Sequence, residues 1–316
     1  MAATLPIIDL RNYRTAEDLA PELMRVGKDP GFFYLIGHEL TDDVAKQIFD
    51  LAEIFFRKTS KEEKMKFTGR GVGYTGLGDE SLAGRGAGDL KESFYLVPHP
   101  DTGVGQSLPA ILEAAKANIS SFCGKCEALT DRLLEALAVG KVGLPRDYLS
   151  KHHRGGESRL RIIHYPEIEK SRQETSERDE GDIRAGAHTD YGSITLLFRQ
   201  SSSQDPGGLQ VLLNDKWVDI PCIKDTIVVN IADALEFLTS GRLRSTIHRV
   251  VSSDRERLSM PFFVQPDRDV LMAPISGEEV DKEEFNEVLK RKGYSSSSAL
   301  TAEEHLMQRR NATYGY

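Results

Sequence analysis

The chain is poor in cysteine, with three in 316 residues. That excludes a disulfide-stapled secreted domain and points to a reducing, cytoplasmic setting. Long apolar runs are also missing. The most apolar stretch, Ile227 to Leu238, is interrupted by Asn230, Asp233 and Glu236, far short of the roughly 20 residues a bilayer span needs. There is no surplus of basic charge: 41 Lys and Arg stand against 49 Asp and Glu. A nucleic-acid or anionic-membrane binder needs the opposite balance, although one buried Arg can still hold a small anion. The opening MAATLPIIDL has neither a basic region nor a long apolar core, so no secretory signal is expected there. With 39% hydrophobic and 28% charged residues, a wholly disordered chain is excluded. No repeat and no linker-like segment is visible, so a single domain over 1–316 is expected.

Three textures follow one another. Over 1–158, short strands are expected at 5–10 and 32–37, helices around Leu19–Val26, over Thr41–Arg57 with Thr41 or Asp42 as cap, and over Pro109–Leu137. The glycine-rich stretch Gly69–Gly88 reads as a loop, and Phe94–Val97 as a strand. Over 159–272, runs such as LRIIHY, SITLLF, GLQVLL, WVDI, TIVVNIA, TIHRVV and RLSMPFFV are rich in branched and aromatic residues and separated by turn clusters. Many short strands in close succession suggest a barrel or jelly roll. The polar stretch Glu167–Gly186 reads as a loop or flap. Over 273–316 the pattern returns to helix, at Asp281–Lys292 and Thr301–Asn311, around a serine-rich turn at 295–298.

Two motifs look like chemistry and are read otherwise. Cys123-x-x-Cys126 lies inside the long helical pattern, where this spacing puts both thiols on one packed face. Gly71-Val-Gly73-Tyr-Thr-Gly76 fits a dinucleotide fingerprint, but KEEKMKFTGR rather than an apolar strand precedes it.

Stronger candidates lie in the β-rich part. His188 and Asp190 are two apart, so on a strand they share a face and could grip one metal. His248, in a branched-residue strand 58 positions after Asp190, is the third candidate. Two His and one carboxylate on one side of a metal leave places open for O₂ and a chelating co-substrate, as in non-haem Fe(II) oxygenases. Zinc hydrolases use the same ligand types. Nine residues after His248, Arg257 and Ser259 also share a strand face, and an Arg fork beside a hydroxyl suits a carboxylate.

In order, the chain carries AHTDYGSITLLF, GGLQVL, a lone tryptophan in KWVDI, VVNIADALEFLTSGRLRSTIHRVV and RLSMPFF, and earlier PIIDL, DPGFFYLIGH, GYTGLGDE and GDLKESFYL. The set resembles the isopenicillin N synthase-like family of iron- and 2-oxoglutarate-dependent oxygenases, strongly over about 159–264 and more weakly before it. The resemblance implies an α+β fold: a distorted double-stranded β-helix, a jelly roll flanked by helices. It implies Fe(II), 2-oxoglutarate and O₂ as cofactors and co-substrates, with His188, Asp190 and His248 as metal ligands. Arg257 and Ser259 would hold the distal carboxylate of 2-oxoglutarate. Tyr165 falls at the family's co-substrate tyrosine, with Ile163 where the family often has Asn. The family's Asn-x-Gly-Asp is Asn230-Ile-Ala-Asp233 here. No protein nucleophile or general base is implied.

By position, Arg70, Tyr74, Phe94, Tyr95 and Phe263 are expected around the substrate, with Tyr316 and the last helix as a lid. The expected reaction is hydroxylation, desaturation or ring closure of a small-molecule metabolite, with succinate and CO₂ released. An oxidase of the same fold that dispenses with 2-oxoglutarate, or a silent binding protein, are the alternatives. No nucleic-acid or membrane partner is expected, and the chain is expected to be a monomer or weak homodimer of secondary metabolism.

Overall fold

The computed structural model describes all residues except 1–4, 70, 83–87, 100–101, 141–143, 155, 168–182, 201–207, 252–254, 276–281, 295–299 and 315–316. The chain opens with β1 (Ile7–Asp9), α1 (Ala16–Lys28) and β2 (Phe32–Ile36). A reciprocal capping box between Thr15 and Asp18 starts α1, which buries Leu19, Leu23 and Val26. Next come α2 (Asp42–Lys58), α3 (Lys61–Met65), β3 (Thr68–Gly69), β4 (Val72–Thr75) and β5 (Glu92–Leu96). Thr41 is the N-cap residue of α2 but makes no side-chain capping bond. A small hairpin, β6 (Pro98–His99) and β7 (Gly103–Val104), leads to α4 (Ala110–Ala114), α5 (Lys116–Gly140) and α6 (Tyr148–Lys151). The expected helix over Pro109–Leu137 is therefore two helices, divided at Ala115.

The β-rich part follows as β8 (Arg159–Tyr165), β9 (Ile183–His188), β10 (Ile194–Arg199), β11 (Leu209–Leu213), β12 (Lys216–Asp219) and β13 (Ile227–Ile231). After α7 (Asp233–Leu238) come β14 (His248–Val251) and β15 (Arg257–Val264), then α8 (Lys282–Arg291) and α9 (Ala302–Tyr314). A nine-stranded sheet runs β1-β2-β13-β10-β15-β8-β5-β4-β3, and a four-stranded sheet runs β12-β11-β14-β9. The two sheets are the jelly-roll core, with helices outside.

Alternation along the strands decides which residues see which side. Leu160 and Ile162 of β8, Ile194, Leu196 and Phe198 of β10, and Met260 and Phe262 of β15 join one apolar core with α1, α2 and α5. The residues between them point the other way, into the space between the sheets. A smaller cluster of Phe32, Tyr34, Leu209, Val211 and Val228 closes part of that space.

Two local expectations need correction. The Gly69–Gly88 stretch holds two strands: β3 and β4 form an irregular hairpin. Gly73 there has φ 67°, and a Cβ on it would come within 1.9 Å of the Phe67 carbonyl oxygen, so the glycines serve a tight hairpin, not a phosphate loop. Ile183–Gly186, expected as the end of a loop or flap, belong to β9; residues 168–182 of that stretch lie outside the described residues. The strand expected in TIVVNIA is β13, while the buried helix α7 that follows it was not foreseen. Tyr316 and the serine-rich turn at 295–298 lie outside the described residues.

Candidate active site

The cross-strand register brings the two histidines together. His188 ends β9 and His248 begins β14, and they pair directly across the small sheet. Their rings lie 4.3 Å apart between centroids. Each Nδ1 sits on a backbone carbonyl: His188 on Gly186 at 2.7 Å and His248 on Thr246 at 3.1 Å. A carbonyl only accepts, so Nδ1 carries the proton and Nε2 presents a lone pair. Those two Nε2 atoms stand 3.8 and 3.7 Å from the same oxygen, Asp190 Oδ1. Asp190 Oδ2 is already engaged, accepting from Thr195 Oγ1 at 2.6 Å and Asn230 Nδ2 at 2.8 Å. The carboxylate is thus turned so that its free oxygen meets the imidazoles. Burial, and then the second imidazole, push the His188 pKa down to about 3, which favours the neutral form that binds a metal. Among the described residues, His188, Asp190 and His248 are the one group of His, Cys, Asp or Glu placed to hold a metal ion.

The cavity beside this group is walled by inward residues of the large sheet: Arg159, Arg161, Ile163 and Tyr165 from β8, and Arg257, Ser259, Pro261 and Phe263 from β15. Register sets Arg257 opposite Tyr165 and Ser259 opposite Ile163. The Arg257 guanidinium lies 4.3 Å from the centre of the Tyr165 ring, a stacking that orients the fork.

The expected substrate residues divide. Tyr95 and Phe263 line the cavity. Phe94 does not: as Tyr95's neighbour on β5 it points to the opposite face, fully buried against Phe55 in the helix-side core. Tyr74 pairs with Phe94 across β4 and β5 and shares that outer face; its hydroxyl donates to Glu92 at 2.6 Å. Arg70 lies outside the described residues.

Sequence reasoning missed several wall residues. A buried ion cluster joins Arg161 to Glu80 at 2.5 Å and Lys91 to Glu80 at 3.0 Å, with Asp89 also paired to Lys91. Arg161 also lies over the Tyr95 ring at 4.4 Å. Tyr191, Leu306, Arg310 and Thr313 close the cavity from the loop after β9 and from α9. The β8 members were within reach: with Tyr165 singled out, period-two alternation places Ile163, Arg161 and Arg159 on the same face. Glu80 carried no such signal, because only the tertiary fold brings it to the wall; the last helix was expected over the site, but not which of its residues face the cavity.

Residues 156–266 match the profile of the 2OG-Fe(II) oxygenase superfamily. Residues 5–111 match one described as non-haem dioxygenase in morphine synthesis N-terminal. Over 99% of its length the chain is 36% identical to a UPF0676 protein of Schizosaccharomyces pombe, covering 93% of that protein. It is 32% identical to a probable iron/ascorbate oxidoreductase of Dictyostelium discoideum, over 86% of this chain and 84% of the relative. Among solved structures, a full-length Neurospora crassa protein in complex with alpha-KG and thymine is similar at a TM-score of 0.78 and 27% identity, over 98% of this chain and 96% of that one.

Proposed function

Because the chain belongs to the 2OG-Fe(II) oxygenase superfamily, we propose that it oxidises an unactivated C–H bond of a small-molecule metabolite, releasing succinate and CO₂. The observation that carries the reading is the convergence of His188 Nε2, His248 Nε2 and Asp190 Oδ1 beside a cavity walled by Arg257 and Ser259. Two neutral imidazoles and a carboxylate suit Fe(II) and leave places open. Iron held there supplies O₂ activation at the expense of 2-oxoglutarate.

The chain's own residues supply position. Thr195 and Asn230 hold Asp190, while the carbonyls of Gly186 and Thr246 fix the imidazole tautomers. Arg257 and Ser259 take the far carboxylate of 2-oxoglutarate, with Tyr165 against the guanidinium; a charge-assisted fork supplies orientation as well as affinity. Tyr95 and Phe263 shape the substrate's place and keep water out. A small molecule is favoured by the cavity between the sheets and by the thymine named for the Neurospora crassa complex. Low cysteine content supports a cytoplasmic enzyme, and the acidic balance supports one without nucleic-acid or membrane partners; secondary metabolism and a monomer or weak homodimer belong to the same proposal. No helix of the described residues is long and apolar enough to cross a membrane.

The test is anaerobic. Fe(II) and then 2-oxoglutarate are added to metal-free enzyme, and the visible spectrum is recorded. A weak charge-transfer band that is lost in Arg257→Ala is expected. Bound iron without a band would move the reading to an oxidase that uses O₂ without 2-oxoglutarate.

A further inference from the structure

One wall of the cavity carries more cation than the oxidation needs. Arg159 faces inward on β8, and its partner across the strands is Phe263. Phe263 pairs in turn with Thr195, the donor to Asp190. Arg159 is therefore two strands from Thr195, roughly 10 Å across the sheet. Tyr165, opposite Arg257, lies six positions further along β8, roughly 20 Å away. Arg159 is level with the metal ligands and remote from the end that Arg257 occupies.

Its local bonds leave it incompletely satisfied. Nη1 donates to the carbonyls of Gly156 at 3.0 Å and Ser158 at 2.8 Å, and Nη2 reaches Glu157 at 3.3 Å. Nε is buried with no hydrogen-bond partner. Glu157 is shared, since it also accepts from Arg268 Nε at 2.8 Å. Arg310 of α9 comes to the same place. It rests on Gly71, where a Cβ would approach the guanidinium to 2.6 Å. Among the described residues the Arg310 side chain makes no hydrogen bond and no ion pair.

Arg159 and Arg310 line both the cavity beside the metal ligands and an adjoining outer pocket that Arg268 also lines. Among the described residues three guanidiniums there meet two carboxylates, Glu157 and Glu303, which leaves one positive charge over. Burial works most strongly against the charge on Arg159; Glu157 supports it, and Arg310 and Arg268 oppose it further. On the neighbouring stretch of wall the charges balance, because Arg161 and Lys91 are matched by Glu80 and Asp89. A desolvated cation without a counter-charge is costly, and an incoming anion removes that cost.

Building on the oxygenase reading of this site, we infer that the substrate is an organic anion whose carboxylate binds between Arg159 and Arg310. Its carbon skeleton then lies against Tyr95, Phe263 and Leu306, beside the metal ligands.

The test compares charge at constant shape. Anaerobic enzyme loaded with Fe(II) and saturating 2-oxoglutarate is offered aryl- and alkyl-carboxylic acids beside their primary amides, with thymine as a further neutral probe. Binding is read by saturation-transfer NMR, and succinate release in air is a second readout. Acids should bind at least tenfold more tightly than their amides and raise succinate release. Arg310→Gln should raise the Kd of those acids at least tenfold, and Arg310→Lys should recover part of the loss. Amides or thymine binding as tightly as the acids, an unchanged Kd in Arg310→Gln, or no acid binding at all would each overturn the inference. Should Arg310→Gln misfold, the acid–amide comparison on the unaltered enzyme decides. Absence of any 2-oxoglutarate decay in the unaltered enzyme would instead overturn the oxygenase reading, and the NMR result does not depend on it.

Discussion

At the scale of single residues, the metal site rests on side chains that do not touch the metal. Thr195 and Asn230 occupy one oxygen of Asp190 and so aim the other. Thr195→Val keeps the shape and removes the donor, and should weaken Fe(II) binding about 10- to 100-fold, as read by metal titration. His188→Ala, Asp190→Ala or His248→Ala should abolish succinate release; full activity in any of them would reject the ligand assignment. Glu80 gives a pH prediction. Burial alone would raise its carboxyl pKa, but Arg161 and Lys91 overcome that and hold it well below the usual carboxylate range. A folded pKa below the unfolded one means that the stabilisation is present above the ordinary value, roughly pH 4, and fades as pH falls towards the folded one. Glu80→Gln should therefore cost about 3 kcal/mol at pH 7, as expected for breaking a buried pair. Urea melts should show its gap from the parent enzyme narrowing below about pH 4, and a gap independent of pH would show that charge is not the cause.

At the scale of elements, period-two alternation was the most informative pattern in the sequence. It placed Arg257, Ser259 and Phe263 on one face of β15, and the structure has all three on the cavity wall. The same rule applied to β5 separates Tyr95 from Phe94, which position in the chain alone had grouped together. Helix boundaries were less legible: a break at Ala115 needs no proline or glycine, only the end of a short helix against its neighbours. Helix α7 was hidden because a helix buried on every side shows no amphipathic stripe. The reading of Cys123 and Cys126 as packed residues of α5 has a direct consequence. Both are buried, and burial raises both thiol pKa values far above the ordinary one. Thiolate is the reactive form, so Ellman's reagent should find at most one fast thiol in the native enzyme, that of the half-buried Cys222. All three should react once urea unfolds the chain. Two fast thiols before unfolding would mean that the Cys-x-x-Cys face is open.

At the scale of the whole molecule, the metal ligands sit where three parts of the chain meet, which no stretch of sequence displays by itself. The histidines come from the small sheet, and the residues that hold Asp190 come from β10 and β13 of the large sheet. The C-terminal helices arrive through Lys292, just past the end of α8. Its buried ammonium pairs with Asp233 and Glu236 and lies 3.4 Å from Thr189 Oγ1, next to Asp190 in the chain. The backbone N–H of Asp233 donates to the Asp190 carbonyl at 2.9 Å. One cluster thus ties the ligand loop to the segment that carries Arg310. Lys292→Met fills the same space but leaves Asp233 and Glu236 as buried carboxylates short of their main cation. Removing one partner of a buried pair costs about 3–5 kcal/mol, so the variant should melt well below the parent enzyme. Metal binding should return part of that stability, because a ligand held only by the folded state adds about 2.7 kcal/mol at a hundred times its Kd. Mn(II), which binds the same donors without turning over, should therefore raise the Tm of both proteins, and its Kd should be weaker in Lys292→Met. An unchanged Kd beside a lowered Tm would show that the cluster holds the helices in place without steadying the ligand loop.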